Sequence, residues 1–542
     1  MNKRNAGLRL HSPKNRFPII RRAVLSLLFL TLSNLVQAAD VSAPSPSASA
    51  PVSEVTFPIR EFRLLGNQVM PTELLLAKLV SLQGENRTLK DLVTARDVVI
   101  STYREAGYYL VGVGLPAAIA TDGVVTLRIV ETTVGAVRLG GNQRFSEANL
   151  RRQLPVLVEG AAPNVAELTR EIFVANDNPA RQITVNFTPP SNGVVDAEVQ
   201  VTESNPLLFT LALDSSGSSE TGRTRVGLSI RHANMFDRSH VLTAGYRTSL
   251  SQPEDVKIAN FAYQIPFPTL AGRVQLSATY ADINVGRVFN AFEVAGKYTN
   301  VGVNYLYDLK RDANSRHGLE IAFAEKRYQP TVLFGGVNLV TAVNARPLGL
   351  GYHYASQSPE NVVAFDFTHF RNLTFGNGND DTTYNASRAT ADADWGKSRL
   401  KATYQRQLGG DWLLRARGVA QYSSEPLIDV EALFVGGINS VRGLLEGDLL
   451  GDRGYFTNLE LHTPMFADAH RLLAFVDNGR ITRINPQPGE KAGDGATTWG
   501  LGWRYARRGK AEFALDWAKV AAGTDLTPKG DSSLNFRLIT RF

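Results

Sequence analysis

From Leu207 to Phe542 apolar and polar residues alternate in short runs separated by turn residues, and this pattern limits the possible folds more than any other in the chain. Val274, Leu276, Ala278 and Tyr280 interleave with Gln275, Ser277 and Thr279. Near the end, Trp499, Leu501, Trp503 and Tyr505 interleave with Thr498, Gly500, Gly502 and Arg504, and Phe513, Leu515 and Trp517 with Glu512, Ala514 and Asp516. Period two gives strands with one apolar and one polar face. A soluble sandwich would show the same alternation, but these apolar sets end in Trp or Tyr, as the interfacial girdles of a membrane barrel do. Counting such runs gives about sixteen antiparallel strands, the even number expected of a bacterial outer-membrane barrel. The tenth run is placed from about Ala386. Long connections are expected at Tyr328–Asn344, Arg371–Thr383, Gln421–Arg453, Arg480–Ala496 and Ala518–Ser532, with short turns such as Ser356–Glu360, Leu408–Asp411 and Arg507–Lys510 between them.

The charge of the chain misleads until its position is read. The formal net charge is +7, yet Lys3, Arg4, Arg9, Lys14, Arg16, Arg21 and Arg22 all precede the first acidic residue, Asp40. They flank an apolar stretch from Ala23 to about Leu32 and a small-residue site at Val36-Gln37-Ala38, the pattern of a secretory signal over residues 1–38. The remainder is near neutral, which removes the electrostatic case for nucleic acid. Residues 39–53, rich in Ala, Ser and Pro, read as a disordered linker too short to hold a barrel-plugging helix as well. An exported chain without cysteine has no disulfide framework and no thiol chemistry.

Residues 54–205 contain a repeat. Phe62-Arg63-Leu64-Leu65-Gly66-Asn67-Gln68 returns as Val137-Arg138-Leu139-Gly140-Gly141-Asn142-Gln143. Each copy reads as a strand, a Gly-Asn turn, two helices and two strands, with Leu92, Ala95, Val99 and Tyr103 forming one apolar helix stripe. This order resembles the POTRA domain, over 54–132 and 133–205, and Asn176-Asp177-Asn178-Pro179 is similar to the family's second POTRA domain.

The barrel region, 206–542, carries three motifs in order: Gly436-Gly437 followed by Ser440-Val441-Arg442-Gly443, then Gly451-Asp452 with Gly454 and Glu460-Leu461, then Phe475, Asp477 and Gly479. The chain thereby resembles the two-partner secretion transporters, the TpsB group of haemolysin and filamentous-haemagglutinin exporters within the POTRA-plus-barrel superfamily. The resemblance implies that the glycine-rich loop, 422–453, folds into the lumen, where Arg442 pairs with Asp477 on the inner wall. Leu444 follows the motif where the family usually has an aromatic residue. With the POTRA domains in the periplasm, the long connections become extracellular and this loop becomes the sixth of them. A terminal aromatic, Phe542, on an alternating last strand resembles the assembly signal of bacterial barrels.

The eight histidines are scattered, and no nucleotide-binding or metal-binding motif is present; Asn377-Gly378-Asn379-Asp380-Asp381 reads as a solvated loop tip rather than a calcium loop. The expectation is a transporter without catalysis, cofactor or metal. It would move an unfolded exoprotein from the periplasm to the cell surface, as a monomer in outer-membrane lipid, placed there by the barrel-assembly machinery. The alternatives are an insertase of the same superfamily and a passive porin-like channel.

Overall fold

The computed structural model of the protein describes residues 55–117, 122–288, 292–312, 314–507 and 509–542. The expected signal segment, the linker and the question of a plug helix therefore lie outside the described residues.

The two copies of the repeat fold alike. In the first, Val124–Glu131 is the central strand, parallel to Glu61–Leu65 and antiparallel to Val111–Gly114. In the second, Val194–Glu203 is central, parallel to Thr133–Gly140 and antiparallel to Arg181–Phe187. Helices Thr72–Leu79 and Leu89–Glu105 cover one face of the first sheet, closing a core of Phe62, Leu75, Leu79, Leu92, Ala95, Val99, Tyr103, Val125 and Leu127. The longer helix begins at the Thr88 cap, whose N–H donates to Asp91 Oδ2 at 2.8 Å in a capping box. Why the Gly-Asn turn recurs is visible at its glycine. A Cβ on Gly66 would sit 2.2 Å from the Ile129 carbonyl oxygen, and one on Gly141 2.2 Å from that of Val201. Glu131 then accepts from the Gln68 and Val69 N–H groups, and Glu203 from those of Gln143, Arg144 and Phe145. The first copy also has a two-stranded piece, Phe57–Ile59 with Gly84–Arg87, whose polar second strand gives no alternation signal.

The remainder is one closed antiparallel barrel of 16 strands, from Leu207–Asp214 to Ser532–Arg541, as the alternation requires. Apolar outward positions such as Leu472, Val476, Trp499 and Leu501 are exposed, while their neighbours Leu473, Phe475 and Thr498 are buried inside. The runs of alternation begin near residues 207, 223, 239, 256, 272, 291, 317, 345, 361, 386, 411, 454, 469, 497, 510 and 533, and all but the tenth fall within four residues of an observed strand start. The tenth strand is Gly396–Gln407 rather than a run from Ala386, because Asp381–Ser387 is a helix. Asp380 caps it, accepting from Thr383 N–H at 2.9 Å, and Tyr384 anchors it against Val343, Ala345 and Trp395. The Asn377–Asp381 tip is correspondingly not all solvated: Asn379 is buried and donates to the Leu373 and Phe375 carbonyls. The connection expected from Tyr328 is also shorter, since Ser315–Phe334 stays paired with Phe292–Arg311 to its end.

The second module docks on the barrel through Asn176-Asp177-Asn178-Pro179. Asn176 mimics a backbone pair with Ile183, at 2.7 and 2.9 Å. Asp177 meets Arg273, Arg311 and Arg316, at 2.5, 2.9 and 3.2 Å, on three consecutive strands. Asn178 donates to the carbonyls of Ala233 and Ser239, in and beside the first short turn. Phe236, Asp237 and Ser239 of that turn all hold positive φ, a strain retained where surrounding contacts over-determine the backbone. Burial alone would raise the Asp237 carboxyl. Hydrogen bonds from Ser146, Asn234 and Asn149 outweigh it and hold the group at about 2, so the turn stays charged at physiological pH. Replacing Asp177 with Ala removes the carboxylate that Arg273 pairs with and leaves Arg311 and Arg316 to share Asp308, at a cost of roughly 1–3 kcal/mol. Faster amide hydrogen exchange across residues 232–241, with an unchanged barrel, is the expected outcome; unchanged exchange would mean the cluster does not hold the module.

Candidate functional site

The loop between strands Leu413–Ser423 and Arg453–His462 carries its own small hairpin, Leu433–Val435 paired with Leu449–Gly451. Glycines at positive φ turn its tip: Gly436 at 131°, Gly437 at 84°, Gly443 at 103° and Gly447 at 70°. They are needed for space as well as for φ. A Cβ on Gly436 would sit 2.2 Å from the Leu445 carbonyl oxygen, and one on Gly437 2.1 Å from the Glu446 carboxyl carbon.

Folded this way, the loop lies inside the barrel. Its Leu433, Val435, Val441, Leu444 and Leu449 form one buried cluster with inward-facing Phe456, Ile481, Ala496 and Val520 of four wall strands. Leu444 fills an apolar slot there, so an aliphatic side chain serves where the resemblance leads one to expect an aromatic. Arg442 reaches the wall strand His470–Thr482, where Asp477 is wholly buried. Arg442 Nε donates to Asp477 Oδ2 and Nη2 to Oδ1, both at 2.8 Å, and the Arg442 backbone N–H adds a third bond at 3.0 Å. This is the two-pronged geometry that guanidinium and carboxylate planes favour. The guanidinium carbon also lies 3.6 Å from the centre of the Phe475 ring. Gly479 completes the motif by its lack of a side chain, since a Cβ would fall 2.6 Å from Val435 Cγ1 and 3.0 Å from Val441 Cγ2. Gly443 packs likewise against Ala518 and Thr498 of the next two strands. The structure thus brings Gly436, Gly437, Val441, Arg442, Gly443, Leu444, Phe475, Asp477 and Gly479 into one assembly. Phe542 stands apart, exposed at the seam, where its backbone exchanges hydrogen bonds with Phe209 at 3.0 and 3.2 Å.

Two partners of Arg442 were missed in the sequence. Glu460 Oε1 lies 2.7 Å and Asp516 Oδ1 3.6 Å from its Nη1. Both occupy inward positions of alternating strands, and Glu460 belongs to the second motif, so the signal was present. Asp452, of the same motif, is buried and pairs with Arg388 of the preceding long loop while accepting from Leu427 and Ile484 N–H groups, at 2.9 and 2.6 Å. It staples the neck of the lumenal loop to its two neighbours. Beside Arg442 a polar cavity of about 170 Å³ is lined by Arg415, Arg417, Arg504 and Arg537, so the ion network borders space that can take water.

A family model described as haemolysin secretion/activation protein ShlB/FhaC/HecB matches residues 193–505, and one described as POTRA domain, ShlB-type, matches residues 57–132. The outer membrane transporter CdiB of Dickeya dadantii is 23% identical over 472 residues, covering 83% of this chain and 80% of the relative. The heme/hemopexin transporter protein HuxB of Haemophilus influenzae is 21% identical over 450 residues, covering 79% and 76%. Among solved structures, CdiB from Escherichia coli superposes with a TM-score of 0.74 at 16% identity, over 92% of this chain and 93% of that one. BamA from Haemophilus ducreyi gives 0.52 at 14% identity, over 90% and 100%.

The glycine contacts give a direct check on the loop seat. Gly479→Ala pushes a methyl group into Val435 and is expected to dislodge the loop and raise conductance in planar bilayers. Gly409→Ala, in open space, serves as the control. Equal conductance of the two variants would show that the seat is loose.

Proposed function

Because the chain belongs to the haemolysin secretion/activation protein family ShlB/FhaC/HecB, we propose a mechanism in which the lumenal loop is its gate. The protein is an outer-membrane two-partner secretion transporter: it moves a secreted exoprotein across the outer membrane, with its POTRA region in the periplasm. The observation that carries the mechanism is the buried three-bond contact of Arg442 with Asp477, which fixes the loop across the route the exoprotein must take. In the resting state the latch keeps the loop seated. Passage requires the loop to leave its seat, and Asp477 recaptures Arg442 when the client has gone.

The second copy of the repeat, 133–205, acts as a second POTRA domain below the barrel mouth. Strands Val111–Gly114 and Arg181–Phe187 each pair on one side only among the described residues, which suits capture of an extended client by strand addition. The assembly works as a monomer in lipid, reaches the membrane through the barrel-assembly machinery that reads the strand ending at Phe542, binds no nucleic acid and catalyses no reaction. Transport needs no nucleotide, and the energy of folding the client outside can draw it through.

Replacing Arg442 with Ala strands Asp477 beside Glu460 and Asp516. The cost is about 3–5 kcal/mol for a fully buried pair, and lower here where the cavity admits water. Secretion is expected to fall strongly while barrel abundance stays normal, since no lipid-facing residue changes. Asp477→Ala should match it, and the double variant should be no worse than the worse single one if the two act as a unit. Undiminished secretion by Arg442→Ala at normal abundance would rule out the latch.

A further inference from the structure

Eleven residues before Arg442, the same loop buries a second charged group that the latch does not use. Glu431 is fully buried, and its carboxylate accepts from Lys326 Nζ at 2.7 and 3.0 Å and from Lys397 Nζ at 2.5 Å. Its backbone carbonyl accepts from Lys397 Nζ at 2.8 Å and from Gln421 Nε2 at 3.1 Å. Lys326 belongs to strand Ser315–Phe334 and Lys397 to strand Gly396–Gln407, and two further strands, Pro347–Gln357 and Asn361–Asn372, lie between them. One carboxylate therefore ties two separate strands of the wall to the loop. Next to it, Leu427 and Ile428 pack with Val343, Ala345, Tyr384 and Trp395. Arg442 is held by the other side of the loop, on strands carrying Glu460, Asp477 and Asp516.

We propose that Glu431 is a second anchor of the gate, a positioning residue that holds the leading half of the loop to the wall as Arg442 holds the tip. With only Asp452 at the neck and Arg442 at the tip the leading half of the loop can swing; held by Glu431 as well, on a different part of the wall, it closes the lumen. The chemistry suits release as well as closure. Lys326 and Lys397 share a single carboxylate, so withdrawal of Glu431 leaves two ammonium groups facing the lumen, where water and an anionic stretch of the passing polypeptide can solvate them. Neither charge is then trapped in a dry interior, as either would be if the cluster stood behind the wall.

The inference rests on the reading of the loop as a gate, and the test separates the two. Conductance of purified full-length protein in planar bilayers is compared for the wild type, Arg442→Ala, Glu431→Gln and a neutral triple variant, Lys326→Met with Lys397→Met and Glu431→Gln. The triple variant removes both ammonium groups together with the carboxylate and leaves the neighbouring Arg399 its hydrogen bond to Gln421, so it is expected to insert even if Glu431→Gln alone does not. The expected result is that the triple variant, at normal abundance, occupies the open state about tenfold more often than wild type, with Glu431→Gln alike where it inserts. A triple variant as closed as wild type, alongside an open Arg442→Ala, overturns the second anchor and leaves the gate standing. If Arg442→Ala stays closed too, the gate itself falls. A triple variant that fails to insert would assign the cluster to barrel assembly and likewise overturn the proposal.

Discussion

A guanidinium buried inside a barrel is the constraint to which the rest of the structure answers. Arg442 remains charged at any relevant pH, so burying it demands a carboxylate in the right plane at the right depth. Asp477 meets that demand because the His470–Thr482 strand turns odd-numbered residues inward, and Phe475, two positions away, offers a ring face to the same cation. The loop can approach so closely because Gly443, Gly451 and Gly479 carry no side chains where loop and wall meet. Glycine, ion pair and strand register are therefore one requirement seen from three sides. A shift of one residue in the register of that strand would turn Asp477 to the lipid.

The same logic links the gate to the periplasmic side. Asp177 collects arginines from three barrel strands, and Asn178 clasps a turn whose backbone is strained. The second module is thereby fixed to the barrel by a cluster whose side chains are partly exposed and so can be solvated at modest cost. The lumenal anchors are of the opposite kind, with Asp477 and Glu431 both sealed.

Much of this was legible in the residues. Alternation gave the barrel and all but one strand start, because a wall between lipid and lumen imposes period two on every segment. The stretch around Ala386 failed because a capped helix there packs its tyrosine against the loops, and such local turns carry no period-two signal. The motifs pointed to Arg442 and Asp477 as a pair, whereas Asp516, Glu431 and Arg388 sit in no motif, and their partners lie 74, 34 and 64 positions away in sequence. Contacts of that range depend on barrel closure, and a single chain read in order does not disclose them. Glu460 and Asp452 are intermediate cases, visible in a motif but without a partner until the loop was seen inside the wall.

Locking the loop in place tests the gate most directly, and the cysteine-free chain makes it clean. Asn439, exposed at the loop tip, accepts a hydrogen bond from Arg537 of the last wall strand at 2.5 Å, and Arg537 lines the cavity beside Arg442. In an Asn439→Cys, Arg537→Cys variant, a cleavable thiol crosslinker about as long as the lost arginine side chain would pin tip to wall. Secretion is then measured before crosslinking, after it, and after cleavage. The gate account requires secretion to stop on crosslinking and return on cleavage. Secretion at the uncrosslinked rate from fully crosslinked protein would contradict it.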